Sequence, residues 1–231
     1  MPVAHNRPAK VARYFGFDGF RGGWVMAWID DDGQHGFSYS PRIAGLLADS
    51  FTRAMIDIPI GLPDSGYRQC DIDGRKIARA SVFLGARRDL LKFKSFPQAN
   101  KSYWAKKQPG ISLEMWNIRK KIAEVDRLIA PRLQRKVGEA HPEIFFLSHH
   151  KGAALANKKT EEGRTQRIRI LKRLGFTCIV MMLDHRHGTG IGRDDLIDAC
   201  ACAIVARDTD KSRTLGGAER DARGLRMQIH Y

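Results

Sequence analysis

The chain is short of three things that would place it quickly: long apolar runs, paired cysteines and acids to balance its bases. No run approaches the roughly 18 apolar residues of a membrane span, so a helical membrane protein is excluded. The first residues, Met1 to Lys10, are positively charged but lack the apolar core of a signal peptide. They read as a short disordered arm on a cytoplasmic protein. Only four cysteines occur, Cys70, Cys178, Cys200 and Cys202, and none forms a CxxC pair. Cys200 and Cys202 sit in an apolar helical run, where a free thiol acts as a small hydrophobe. A disulfide scaffold is excluded and a structural zinc site is disfavoured. A Gly-rich Walker loop ending in Lys-Ser or Lys-Thr is also missing.

Positive charge, by contrast, is abundant. Forty Lys plus Arg against 25 Asp plus Glu give a formal charge of +15. Such an excess favours an anionic partner, with nucleic acid (DNA or RNA) first. The 231 residues, 43% of them hydrophobic, suffice for one sizeable core, so a single elaborated domain is expected over 1–231.

Turn and periodicity signals order the elements. Residues 11–18, 24–29 and 34–39 read as an antiparallel three-stranded meander, punctuated by Gly22-Gly23 and Asp30-Asp31-Asp32-Gly33. Pro41 suits the first turn of a short helix through Ala48. Residues 53–58 form the next strand, and Pro59 ends it. A helix is expected around 71–82. The basic stretch from Gly85 to Gly110 reads as an irregular insertion or flap. Ser112 caps a long helix with Met115, Ile118, Ile122, Val125 and Ile129 on one face. Residues 136–147 read as a strand interrupted at His141-Pro142, with Pro142 able to start a helical turn. Thr160 opens a basic helix that Gly175 stops. Residues 176–183 are expected as a strand, 184–192 as a loop and 193–207 as a helix. The tail reads as polar until 225–231, which would add an edge strand or a short packed tail. Hairpin strands followed by strand–helix alternation define an α/β domain with a mixed central sheet of about five strands flanked by helices.

Within this frame the acids are the informative residues. Asp18 and Asp57 close apolar runs, Tyr14–Phe17 and Ala54–Ile56, and a carboxylate in such a place costs several kcal/mol unless compensated. Parallel neighbouring strands would bring both acids to the carboxyl end of the sheet, where open α/β sheets hold their sites. Asp194, Asp195 and Asp198 open the run Ala-Cys-Ala-Cys-Ala-Ile-Val-Ala, whose lack of polar faces marks a buried helix. Asp198 shares a face with Asp194 and Asp195, so their charges repel unless a cation resolves the conflict. Asp194 itself reads as an N-cap. Glu139 and Glu143 are further candidates, Glu139 being the better placed at a strand end, while His141 reads as a packed histidine. A hard-oxygen set of this kind suits Mg2+ or Mn2+. Lys158, Lys159 and Arg164 surround the start of the helix opened by Thr160 and make a phosphate site. In the 85–110 stretch, lysines and arginines interleave with Phe93, Phe96, Tyr103 and Trp104, a composition suited either to single-stranded nucleic acid or to anchoring a loop.

Five phrases occur in order: Phe17-Asp18-Gly19-Phe20-Arg21-Gly22-Gly23-Trp24, Ile56-Asp57-Ile58-Pro59-Ile60-Gly61-Leu62-Pro63, Glu139-Ala140-His141-Pro142-Glu143, Lys158-Lys159-Thr160 and Asp194-Asp195-Leu196-Ile197-Asp198-Ala199. Together they resemble the DUF429 family, a predicted nuclease group of the ribonuclease H-like superfamily related in fold to RuvC-type resolvases. The resemblance implies a ribonuclease H-like fold with a carboxylate on the first strand (Asp18), one on the fourth (Asp57) and acids on the final helix (Asp195 and Asp198). Glu139 or Glu143 would be a family-specific addition. It implies a Mg2+- or Mn2+-dependent phosphodiesterase acting on DNA or RNA. One departure is Ser81-Val82-Phe83-Leu84-Gly85, where the family carries a proline after the phenylalanine.

Two other readings compete. An actin-like ATP-dependent phosphotransferase shares the core, and Asp18-Gly19-Phe20-Arg21-Gly22-Gly23 would wrap a phosphate through Arg21, although no second lobe is evident. A non-catalytic nucleic-acid-binding protein would keep the acids as remnants. A symmetric homodimer is compatible with the sequence, but no residue stripe demands one.

Overall fold

The computed structural model describes residues 11–151 and 154–231. The arm expected over 1–10 lies outside the described residues. Strands β1 (Arg13–Phe20), β2 (Gly23–Asp30) and β3 (His35–Ser40) form the expected antiparallel meander. Asp30 Oδ1 accepts from the amides of Asp32 and Gln34, at 3.1 and 2.8 Å, which closes the second turn. After a single turn, α1 (Ile43–Leu46), strand β4 (Arg53–Ile56) returns parallel to β1.

Next come α2 (Gln69–Ala78), α3 (Phe96–Ala105), α4 (Leu113–Leu128), α5 (Pro131–Gln134) and strand β5 (Val137–Glu139), the last parallel to β4. The helices α6 (Pro142–His149), α7 (Glu161–Arg173), α8 (Ile179–His185) and α9 (Arg193–Arg207) follow, and β6 (Thr214–Arg220) and β7 (Arg226–His230) close the chain. The central sheet is mixed, with strand order β3-β2-β1-β4-β5, and β6 and β7 form a separate antiparallel pair.

Alternation along the strands divides the core in two. Phe15 and Phe17 of β1, Trp24 and Met26 of β2, and Ala54 and Ile56 of β4 pack with Met115, Ile122 and Val125 of α4. Val25, Ala27, Ile29 and Met55 face the other way and pack against α9 with Phe145, Phe146, Leu171 and Phe176. Ser112 caps α4 by accepting from Met115 N, and Thr160 caps α7 by accepting from Gly163 N.

Three expectations are corrected. Residues 176–183 are not a strand, since α8 occupies most of them. The buried residues Ile179, Met182 and Leu183 follow helical spacing, with Val180 and Met181 outward. The stretch from 85 to 110 is not irregular throughout. Ser95 Oγ accepts from Gln98 N to cap α3, Pro97 occupies its first turn, and Ala99, Asn100 and Tyr103 are buried beneath it. Tyr103 Oη donates to Asp89 at 2.9 Å, so this ring anchors the segment, whereas Trp104 is exposed. Finally, 214–220 is strand, pairing with β7.

Candidate metal centre

The face alternation that builds the core also delivers the carboxylates. Gly16 faces α9, and a Cβ there would lie 2.1 Å from both the Ala199 carbonyl oxygen and the Ala203 amide nitrogen. Only glycine lets the helix come this close. Asp18, two residues on and on the same face, meets α9 at Asp198, the residue preceding Ala199. On β4, Met55 belongs to the α9-side core, so Asp57 turns to the same side. Its amide donates to the Phe17 carbonyl at 3.0 Å, extending the parallel register one step past Ile56 and setting Asp57 beside Asp18.

The three acids converge. One carboxylate oxygen from each of Asp18, Asp57 and Asp198 lies within 4.8 Å of the other two. Asp198 is buried and the other two are partly buried. Lys158 Nζ donates to Asp198 Oδ2 at 2.9 Å, and Gly19 N donates to Asp18 Oδ1 at 2.6 Å.

One cation does not offset three crowded carboxylates. Burial raises the Asp18 pKa well above the usual carboxylate range, and Asp57, Asp198 and Asp195 add to it. Burial pushes Asp57 to about 8, with Asp198 and Glu139 adding and Lys158 opposing. Asp198 is raised by burial against the pull of Lys158, whose own pKa is raised chiefly by Asp198. Groups pushed this way favour a bound cation, because a positive charge reverses each shift. The donors are all carboxylate oxygens, which fits Mg2+ or Mn2+ better than metals that seek nitrogen or sulfur.

The other acids have partners of their own. Glu139 is buried against Arg68, whose Nη2 and Nη1 reach Glu139 Oε1 and Oε2 at 2.6 Å each. Arg68 also holds Asp71, and Glu139 Oε2 accepts from Ile60 N at 2.8 Å. Burial still lifts Glu139 to about 7 despite the guanidinium. Glu143 is held bidentately by Arg167 Nη2 at 2.9 and 2.8 Å. Asp195 Oδ2 accepts from Gly192 N at 2.9 Å and ties down the start of α9. Gly192 is the N-cap, in place of the expected Asp194, which lies 3.6 Å from Arg164 Nε.

These groups surround a cavity of about 670 Å³. Asp18, Asp57, Asp198, Asp195, Glu139 and Glu143 line it, as do Lys158, Lys159 and Lys121. Arg21 is exposed in the β1–β2 turn, Arg164 is engaged by Glu161 and Asp194, and neither lines the cavity. Sequence reasoning did not single out Arg68 or Arg167, nor Lys121 as a site residue. Lys121 donates to the Gly23 carbonyl and sits 4.4 Å from the Trp24 ring centroid. The spacing of Arg68 and Asp71, three apart at the start of α2, was the one available signal for their pair. His141 lines the same cavity, and its Nε2–H donates to the Ser81 carbonyl at 3.3 Å.

Comparison with known families places the chain. Residues 16–220 match the family described as "Protein of unknown function (DUF429)", and the chain belongs to that family. No curated protein and no solved structure matches it. No helix among the described residues is long and apolar enough to cross a membrane.

Proposed function

We propose that this protein is a Mg2+- or Mn2+-dependent phosphodiesterase that cleaves DNA or RNA on a ribonuclease H-like fold. The observation that carries the reading is the convergence of Asp18, Asp57 and Asp198 at the carboxyl ends of two parallel strands. Support for the fold comes from their placement on the first strand, just past the fourth, and on α9, the positions that the family resemblance implies.

In this reading Asp18, Asp57 and Asp198 hold the divalent ion, with Asp195 and Glu139 as neighbouring carboxylates. Held there, such an ion would supply Lewis-acid polarisation of a scissile phosphate and acidification of an attacking water. The protein's own groups do the rest. Burial raises the Asp57 pKa to about 8, and a cation held by these carboxylates would favour its charged form. Lys158 neutralises Asp198 when the site is metal-free and is placed to meet a phosphate oxygen when substrate enters. Lys121 and Lys159 add positive charge to the cavity wall. Arg68 keeps Glu139 oriented, and Gly16 keeps Asp198 within reach of the strands.

The test incubates wild type and Asp18→Asn with labelled single-stranded, duplex and branched DNA and RNA, with and without Mn2+. Cleavage by wild type that needs Mn2+ and disappears in the variant is the expected result. Equal cleavage by both proteins would point to a contaminating nuclease. Nucleotide hydrolysis without strand cleavage would favour an actin-like phosphotransferase, and tight binding with neither activity a non-catalytic binding protein.

A further inference from the structure

A second cavity, about 660 Å³, lies at the opposite ends of the same strands. Its charged lining is Arg53 at the start of β4, Arg132, Arg135 and Lys136 around the end of α5, Arg220 on β6 and Arg226 on β7. No Asp or Glu lines it. Elsewhere Arg68, Arg88, Arg164, Arg167, Arg207 and Arg223 pair with carboxylates, and what sets the cleft apart is that its cations gather in one place with no acid among them. Among the described residues, Arg53, Arg132, Arg135, Lys136 and Arg226 make no ion pair. Six like charges gathered in one cleft repel one another, and an anion relieves that repulsion.

The cleft is held in shape from both sides. Gln134 Nε2 donates to the Arg226 carbonyl at 2.8 Å, and Arg226 N donates back to Gln134 Oε1 at 2.9 Å. This reciprocal pair locks α5 to β7. Ala140 bridges to His230 in parallel, which ties β7 to the central sheet just past β5. Gln228 Nε2 donates to His230 Nε2 at 2.9 Å, leaving the ring as an acceptor on the wall. Burial and nearby Arg53 push His230 down to about 4, so the ring is neutral at pH 7 and the positive charge comes from the arginines and the lysine.

We infer that this cleft binds the phosphate backbone of a nucleic-acid strand, at a site separate from the carboxylate cluster. Guanidinium forks match phosphate oxygens in pairs, and six cations exceed what one small anion engages. No Phe, Tyr or Trp lines the cleft, and His230 is the one aromatic ring in its wall, so the run of large aromatic platforms typical of base stacking is missing. The lining of cations favours contact with the backbone, which carries no sequence information directly. Arg53 and Asp57 are separated by four steps of chain, about 13 Å at strand spacing, so the cleft holds a strand away from the carboxylates. The inference goes beyond cleavage and does not depend on it, since binding is measured without divalent ions.

The experiment measures fluorescence anisotropy of short labelled DNA and RNA in chelator across a salt series. It compares wild type, the triple variant Arg132→Ala/Arg135→Ala/Arg226→Ala, and a control of equal charge, Arg42→Ala/Lys172→Ala/Lys211→Ala, whose residues are exposed and scattered. Circular dichroism verifies folding of each. The cleft variant should lose roughly 2–3 units of log–log salt slope, at about 0.7–0.9 per phosphate contact, and bind at least about tenfold more weakly at low salt. The control variant should keep the wild-type slope, whether or not the protein cleaves. A cleft variant with wild-type slope would overturn the inference, as would a control variant that loses as much. Competition by inorganic pyrophosphate as effective as by unlabelled oligonucleotide would also overturn it and reassign the cleft to small anions.

Discussion

At the scale of single residues, the centre is a set of acids held where they resist ionising. The pKa of Asp57 is about 8 in the folded protein and about 3.9 in an unfolded chain. A carboxyl raised in this way contributes stability that is fully present below about pH 4 and is lost as pH rises toward about 8. Asp57→Asn removes the titration. In chelator, the difference in Tm between variant and wild type should therefore widen in favour of the variant from about pH 4 to about pH 8, by roughly 2–4 °C per kcal/mol of relieved repulsion. A difference that stays flat with pH would contradict the assigned shift. Arg68 works the other way. Arg68→Ala leaves Glu139 and Asp71 facing each other without a cation, and chemical denaturation should show a loss of about 3–5 kcal/mol. These two residues also mark what the sequence exposes. Asp57 stands out because a carboxylate closes an apolar run, so its placement is legible. Arg68 looks like any solvated arginine, and its link to Glu139 spans residues far apart in the chain, so it becomes visible only after folding.

At the scale of elements, the site depends on how closely α9 lies on the sheet. Gly16→Val would force a side chain into the backbone of Ala199 and Ala203. Overpacking of this kind typically costs about 1–3 kcal/mol, and here it also lifts Asp198 away from Asp18 and Asp57. Thermal unfolding should show the loss of stability, and calorimetric titration should show weaker Mn2+ binding. Stability lost with Mn2+ affinity retained would show that the helix contact does not set the site. Most elements were readable: the meander from its glycine turns, α4 from Ser112 and its apolar stripe, α9 from its small apolar run. The misreading of 176–183 came from its β-branched and apolar composition, while the spacing of Ile179, Met182 and Leu183 already carried the helical period. In the same way, Ser95 followed by Pro97 announced α3 inside a stretch that charge alone made look irregular. Strand β7 falls within the edge strand offered for 225–231, but its partner β6 stayed hidden because it is largely exposed and rich in glycine, so no apolar alternation marks it.

For the whole molecule, the charge of +15 resolves into distinct regions. One end of the sheet gathers carboxylates with Lys158, Lys159 and Lys121, and the other gathers arginines without acids. Composition showed the excess of positive charge, but not that it would be divided across the two ends of the same strands. The carboxylate end is the decisive region of the molecule, and the most direct measurement on it is a crystal structure of the protein soaked in Mn2+ with anomalous data. The predicted result is anomalous density within bonding distance of Asp18, Asp57 and Asp198, with the Lys158 ammonium withdrawn from Asp198. Absence of that density at saturating Mn2+, with Lys158 still paired to Asp198, would contradict it.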